Sequence, residues 1–493
     1  MLNNNVPSES FEQLRLVPSH VQQSKPAVSR DPQFSGWLPA SNPMPTFWQT
    51  DLHPLQDHRS TEQLPEHVDF VIIGAGYAGV ASAYHMIQDG SCKDLSILIL
   101  EARGVCSGAT GRNGGHLRPD LYGHIPTYID RAGAEAGLEI AEFEIAHVHA
   151  IKKIVEKEGI DCDFTLTRTI DTWCNEDSAK QAKQVYDQMV ARNFKYMDDV
   201  IFYTGKVAEG ISGVKGAKAA ASYTAGTMWP YKFILALAEI LLASGQVNLQ
   251  THTPATSISP DPNGGHIITT PRGTTHAKTV IHANNAYVSG LLPEYANNII
   301  PCKGICCRIA VPEGQTAPLL NNSYINRTAD GTLSYLIGRT DGSIIVGGAS
   351  SLFKPHKPQW YNNVDDSILI DAAKDYYTNY MQETYHGWQD SGAKVDSIWA
   401  GVMGYSYDSN PHIGTIPGRE DQFILAGFNG HGMPVIWLAA KELASMAVHG
   451  KEFESTALPR LFKTTQVRID RAKNGREEDG DIIGTGGFSA TKQ

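Results

Sequence analysis

The sequence predicts an α/β fold in two parts: a parallel-stranded layer that carries a ligand, and an α+β part built on a mixed sheet. Three observations lead there. Glycine-punctuated strands alternate with helical stretches along 493 residues, a length sufficient for two packed domains. The apolar run VDFVII, residues 68–73, passes into GAGYAG and then into an alanine-rich helix with almost no loop. Two later segments, 225–286 and 423–450, again set strands beside glycines and helices, and no fixed-period repeat links them.

The first segment explains its own glycines. Gly74 permits the tight turn that a Cβ would obstruct, and Gly76 lets a pyrophosphate lie against bare backbone. Gly79 removes a side chain where helix and strand touch, while Ala78, Ala81 and Ala83 keep that contact close. The helix start at Tyr77 offers unpaired N–H groups and the positive end of the helix dipole to phosphates. Residues 95–100 then read as a fully buried parallel strand ending at Glu101, with Ala102 and Arg103 beside it. Glu101 falls later than the usual spacing of about 20 residues after the glycines because QDGSCKD lengthens the connection. Its carboxylate suits ribose hydroxyls and repels a 2′-phosphate, so a Rossmann-like site for FAD or NAD is expected rather than one for NADP.

A second glycine cluster follows the acid directly. Ser107, Gly108, Ala109, Thr110 and Gly111, then Arg112, Asn113, Gly114 and Gly115, supply backbone and side-chain donors, with His116 and Leu117 closing the run. A nicotinamide enzyme has no need of such a cluster, whereas an extended flavin must be gripped along its length. FAD is therefore the expected cofactor.

The second segment reads as a helix over 231–243, a short strand, a hairpin through Pro262, Asn263, Gly264 and Gly265, and a buried strand over 279–283. Ala255 and Ala283 in this segment complete the expected cofactor contacts on that side. The third segment reads as a strand over 423–426, then Gly427, Asn429, Gly430, His431, Gly432 and Met433, then a long helix near Pro434. A helix start facing the flavin would stabilise negative charge on the reduced ring. Residues 131–215 read as mostly helical and charged, and 300–395 contain the strand-like runs SYLIGRT and SIIVGGA. The expected organisation is an extension over 1–66, a discontinuous FAD-binding domain over 67–130, 216–300 and 396–450, a substrate domain over 131–215 and 301–395, and a tail over 451–493. Residues 1–45 and the tail from 472 read as surface-wrapping or partly disordered.

Composition excludes several classes. Lys plus Arg number 41 against 52 Asp plus Glu, a net charge of -11, so no basic field gathers nucleic acid. No apolar run reaches the roughly 18 residues of a membrane span, and no secretory or peroxisomal signal is present, so a soluble cytoplasmic protein is expected. Seven cysteines show no metal-ligand spacing and read as reduced, mostly buried thiols, so no metal is expected.

GAGYAG, LEARGVCSGATGRNGGHL, GTMWPYKF and GFNGHGM, in this order, resemble the FAD-dependent amine and D-amino-acid oxidase (DAO) superfamily. The likeness is closest to its glycine, sarcosine and γ-glutamylputrescine oxidase branch, with FWQ at 47–49 adding to it. The resemblance spans roughly residues 40–450. It implies a glutathione-reductase-like fold and oxidation of a C–N bond by hydride transfer to flavin N5. The family's cysteine tether falls on Gly401, and no cysteine follows position 307, which implies noncovalent FAD. Arg118 stands where a carboxylate-binding arginine would be, but the partner lysine falls on Met433 or Pro434. An amine or modified amino acid is thus the expected substrate. The lysine that assists oxygen reduction falls on Ile344, Ile345 or Val346, which leaves the electron acceptor open, with molecular oxygen the expected one.

His431 offers a tether or base, as does His116, although a histidine beside glycines also serves as a structural hydrogen-bonding group. Trp229, Tyr231, Trp399, Tyr405 and Tyr407 are candidates to wall the pocket and hold a cationic amine by cation–π contact, or else are ordinary core. Arg118, His431, Tyr231 and Trp399 are the expected catalytic set. Two other readings stay open: an NAD-linked dehydrogenase, which leaves two glycine clusters without purpose, and a flavin-binding scaffold without catalysis.

Overall fold

The computed structural model describes residues 38–475. The expectations for residues 1–37 and 476–493 lie outside the described residues. Two sheets organise the rest. The first has five parallel neighbours in the order Gln422–Ala426, Gly273–His282, His67–Ile73, Ile97–Leu100 and Val247–Gln250, with antiparallel His412–Thr415 at one edge. A hairpin, Ser257–Pro260 with His266–Thr270, pairs onto the start of Gly273–His282. Val71, Ile72, Leu98 and Ile99 are fully buried, as a sheet covered on both faces requires. The order reverses around His67–Ile73, and that strand's C-terminal end is where a doubly wound sheet opens a crevice.

Three helices pack together beside this sheet: Tyr77–Ile87, Pro230–Ala243 and Ile436–His449. The first is alanine- and glycine-rich on its buried side, so it approaches closely. The third begins two residues after Pro434, because Gly432 O accepts both Val435 N–H and Ile436 N–H and forms a turn before the helix. The second buried strand begins at Ile97 rather than at 95.

The second sheet has nine strands, mostly antiparallel, with one parallel pair between Ser323–Arg327 and Thr165–Trp173. Its longest pair, Ile299–Ala310 with Lys394–Ser406, runs antiparallel through one irregularity at Arg308/Ile309. Residues 131–215, expected to be mostly helical, contain the helix Ala134–Glu158 but also the strands Thr165–Trp173 and Ile201–Thr204. TLTRTIDTW is β-branched at five of its nine positions, and its last five residues are buried between neighbours. Ala219–Thr227 joins the same sheet despite its alanines, since small residues suit a strand buried along nearly its whole length.

All seven cysteines are free thiols, six of them buried. Among the described residues no helix is long and apolar enough to cross a membrane.

Candidate functional site

At the C-terminal end of His67–Ile73 the backbone turns at Gly74 with φ +108°, and a Cβ there would lie 2.9 Å from Ala283 O. The turn is fastened by Gly74 N–H donating to Leu100 O at 2.8 Å and Ala75 N–H donating to Glu101 Oε2 at 2.8 Å. Glu101 Oε1 accepts Arg103 N–H at 2.9 Å, which leaves lone pairs on both oxygens for further donors. Gly79 serves the helix–strand contact: its Cβ would fall 1.9 Å from Gly74 O. Thr110 Oγ1 accepts Tyr77 N–H at 3.0 Å, tying the second glycine cluster to the first helix turn.

These elements open into a cavity of about 450 Å³ that runs from the nucleotide strands to the face of the second sheet. Gly74, Gly76, Tyr77, Ala78, Glu101, Ala102 and Arg103 line it, as do Gly108, Ala109, Thr110, Arg112, Asn113 and Gly114. Ala255, Ala283 and Gly401 line it too, and so do Gly430, His431, Gly432 and Met433. His116 and Arg118 stand toward the second sheet, with Tyr335 and Tyr405. The remaining expected cofactor residues lie behind this lining. Ser107, Gly115 and Leu117 support the loop, while Gly427 and Asn429 shape the turn before the third helix, where Asn429 Oδ1 accepts Ser406 N–H at 2.7 Å.

Two of the expected catalytic residues are elsewhere. Tyr231 donates its hydroxyl to Gln56 Oε1 at 2.7 Å and accepts His53 N–H, so it anchors the extension. Trp399 is fully buried and donates Nε1–H to Arg112 O at 2.8 Å, which holds the glycine loop from outside. Trp229 and Tyr407 likewise stay out of the lining, whereas Tyr405 reaches it. Spacing along the chain placed these rings near the motifs but carried no information on which face they present.

Arg118 is in place, but Asp171 takes its Nη2–H at 2.9 Å, and Tyr122 donates to the same Asp171 oxygen at 2.8 Å. Burial alone would lower the guanidinium pKa; the Asp171 carboxylate instead holds it well above its ordinary value, so the charge is permanent. Arg118 Nε is buried with no partner. His116 shares a 2.7 Å hydrogen bond with Ser323 Oγ, and burial, then the charges of Arg118 and His431, hold its ring well below its ordinary pKa and therefore neutral at pH 7. His431 Nε2 lies 2.8 Å from Glu144 Oε2.

Sequence reasoning missed several groups. Asp366 is fully buried, pairs both oxygens with Arg103 at 3.0 Å and lies 3.2 Å from Arg112 Nε. Lys303 lines the cavity, is 2% exposed and donates to Ile368 O at 2.7 Å; burial lowers its pKa. Cys306 Sγ and Tyr335 OH meet at 2.9 Å in the wall, and burial pushes the thiol up to about 12. No local pattern marks these residues, since each partner is distant in the chain. Outside the cavity, Asp89, Cys92 and His449 bring donor atoms within 4.8 Å, but the Asp89 carboxylate is already taken by Ser91 and His449.

The donor set fits FAD. Asn284 Oδ1, Tyr287 OH and Arg118 Nε are buried polar atoms without partners, and all three residues line the cavity. The Gly76 side of the cavity is bare backbone at a helix start; Gly76 supplies no cap, and the Tyr77 N–H, expected to be unpaired, is taken by Thr110 Oγ1. Glu101 has the acceptor capacity for ribose hydroxyls. A dinucleotide with an extended ring system meets each of these needs.

Comparison with known proteins agrees. γ-Glutamylputrescine oxidoreductase of Escherichia coli (strain K12) is 22% identical over 390 residues, covering 77% of this chain and 83% of that protein. Glycine oxidase from Geobacillus kaustophilus superposes with a TM-score of 0.65 at 19% identity, over 82% of this chain and 99% of its own. L-Proline dehydrogenase from P. horikoshii gives 0.62 at 22% identity, over 79% and 96%. At these identities the two solved structures show a shared fold. The model of the FAD dependent oxidoreductase family, DAO, matches residues 69–446, most of the chain, and the protein belongs to that family of oxidoreductases.

Proposed function

We propose that the protein oxidises the C–N bond of a small amine or modified amino acid, with noncovalent FAD as cofactor and molecular oxygen as acceptor. The observation that carries this reading is the single cavity that joins the nucleotide-strand glycines to a wall holding His116, Arg118 and Tyr335. FAD held by the glycine clusters and Glu101 would supply the hydride-accepting chemistry, with oxygen taking up the two electrons and two protons as hydrogen peroxide. The substrate loses a hydride from carbon and a proton from nitrogen, and water then splits the imine into a carbonyl compound and a free amine.

The chain's own residues position the substrate and keep it uncharged at nitrogen. Burial disfavours an ammonium group in the cavity, and the neutral His116 ring offers a hydrogen bond without adding charge. Arg118 is partly spent on Asp171, so it supports a simple α-carboxylate less than an isolated arginine would. Gly401 favours a noncovalent flavin: even a Cβ there would lie 2.9 Å from Arg112 Cβ, so a cysteine tether has no room.

The test begins with the absorbance spectrum of the purified protein, followed by anaerobic titration with primary amines, secondary amines and D-amino acids. The expected result is a yellow protein that bleaches with one class and releases its flavin on acid precipitation. Protein that takes up no FAD sinks the reading, and flavin that no amine reduces favours the scaffold reading.

A further inference from the structure

Three consecutive carbonyls of the second glycine cluster are held from outside the cavity. Gly111 O accepts Thr46 Oγ1–H at 3.0 Å, Arg112 O accepts Trp399 Nε1–H at 2.8 Å, and Asn113 O accepts Trp48 Nε1–H at 2.5 Å. In a planar trans peptide the C=O and the next N–H point in opposite directions. The N–H groups of Arg112, Asn113 and Gly114 are therefore turned away from these donors. Those of Asn113 and Gly114 have no acceptor among the described residues, and both residues line the cavity.

Two of the three holding groups come from the segment that precedes the first strand. That segment is itself fixed. Thr46 and Trp48 are buried, Arg112 Nη2–H donates to Met44 O at 2.8 Å, and Trp229 Nε1–H donates to Trp48 O at 2.9 Å. The Trp48 ring packs 5.3 Å from Phe47 and 5.6 Å from Trp229, and the Arg339 guanidinium, held by Asp163 at 2.7 Å, lies 5.1 Å from it. Gly115 has room for no Cβ, which would fall 3.1 Å from Trp48 Cη2 and 2.5 Å from Met228 O.

We infer that residues 44–49 are part of the flavin site, with Trp48 a positioning residue that aims the Asn113 and Gly114 N–H groups at the acceptor edge of the cofactor. The inference rests on the flavin reading above. Without the indole N–H, the peptide after Asn113 is free to rotate, and the donors lose their aim. Trp48 touches no substrate; its effect passes through the loop.

The experiment titrates FAD into apoprotein, wild type and Trp48→Phe, following flavin absorbance and melting temperature without cofactor. Phenylalanine keeps one aromatic ring between Phe47 and Trp229 and removes the donor together with part of the indole's volume. The expected result is a Kd for FAD raised about tenfold, the worth of one hydrogen bond, with a shifted flavin spectrum, beside a modest fall in apoprotein melting temperature from the smaller ring. Equal Kd and spectrum overturn the inference, and so does a fall in melting temperature with unchanged Kd, which marks a structural role only. Thr46→Val is the second variant, expected to weaken FAD in the same direction through Gly111. Hydrogen exchange on the wild type needs no variant: peptides covering 44–49 and 107–116 are expected to gain protection together on adding FAD, and protection of the second alone overturns the coupling. Wild-type protein that binds no FAD sinks the flavin reading itself, an outcome distinct from each of these.

Discussion

At the scale of single residues, the glycines of the first turn divide into two kinds that the sequence presents as one motif. Gly79 is structural: an alanine Cβ would sit 1.9 Å from Gly74 O and 3.2 Å from Ile72 Cγ2, and backbone cannot give way. Gly76 faces the cavity, and its Cβ would meet only Thr110 Oγ1 at 3.1 Å. Gly79→Ala is therefore expected to destabilise the fold by about 3 kcal/mol or to prevent folding, as overpacking does. Gly76→Ala is expected to keep the melting temperature within a few degrees while weakening FAD binding at least about tenfold, because the added methyl displaces a phosphate contact. Thermal melts and FAD titrations on both variants check the pair; Gly76→Ala with unchanged FAD affinity would remove the pyrophosphate from that position. The pattern G-x-G-x-x-G was legible in sequence because its spacing is local. Asp366, which pairs with Arg103 from 263 residues away, was not, since nothing near either residue announces the other.

At the scale of elements, the C-terminal helix Gln466–Asn474 is fastened by a largely buried ion pair. Arg468 grips both oxygens of Asp408 at 2.7 Å and donates to the carbonyls of Pro411, Lys463 and Asn410. Burial by itself would raise the Asp408 carboxyl, but the Arg468 charge and hydrogen bonds hold it down at about 2. Its folded value lies below the unfolded one, so this contribution is present in full above about pH 4 and is lost as pH falls toward 2. Removing one partner leaves the other charge buried. Arg468→Met is expected to cost about 3–5 kcal/mol in urea unfolding at pH 7, with Arg468→Met/Asp408→Asn recovering part of it. A cost under about 1 kcal/mol would show that water replaces the pair freely. The strands missed by sequence reasoning belong to this scale as well. Thr165–Trp173 is surrounded in the chain by charged helices, and its neighbours Ser323–Arg327 and Ala219–Thr227 arrive from elsewhere.

At the scale of the whole molecule, the interior holds histidines that packing keeps neutral. Burial lowers His85 and His147 to about 3, with a bond to Trp437 O opposing it at His85, and lowers His282 to about 4. In the unfolded chain each ring takes up a proton below about pH 6.5. Between those values the unfolded state binds more protons, so stability falls as pH drops from about 6.5, by up to about 1.4 kcal/mol per pH unit for each ring. Urea unfolding at pH 7.5, 6 and 5 is expected to show a steadily falling midpoint; a flat profile over this range would mean that these rings protonate inside the fold.

By itself the sequence determined the parallel layer, the two glycine clusters, the acid at Glu101 and hence the nucleotide class. These are short-range features, in which spacing along one strand, turn and helix sets what the backbone can approach. Only the tertiary structure decided which side chains face the cavity. Tyr231 and Trp399 turned outward to anchor the extension and the loop, Asp171 claimed Arg118, and Lys303, Tyr335 and Asn284 entered the wall. Those assignments depend on which face of a strand meets which neighbour across the two sheets. One register step reverses every side chain of a strand, and that register is fixed by pairing between separate segments, as where Trp399 lies opposite Cys306 and Asp171 opposite Ile325.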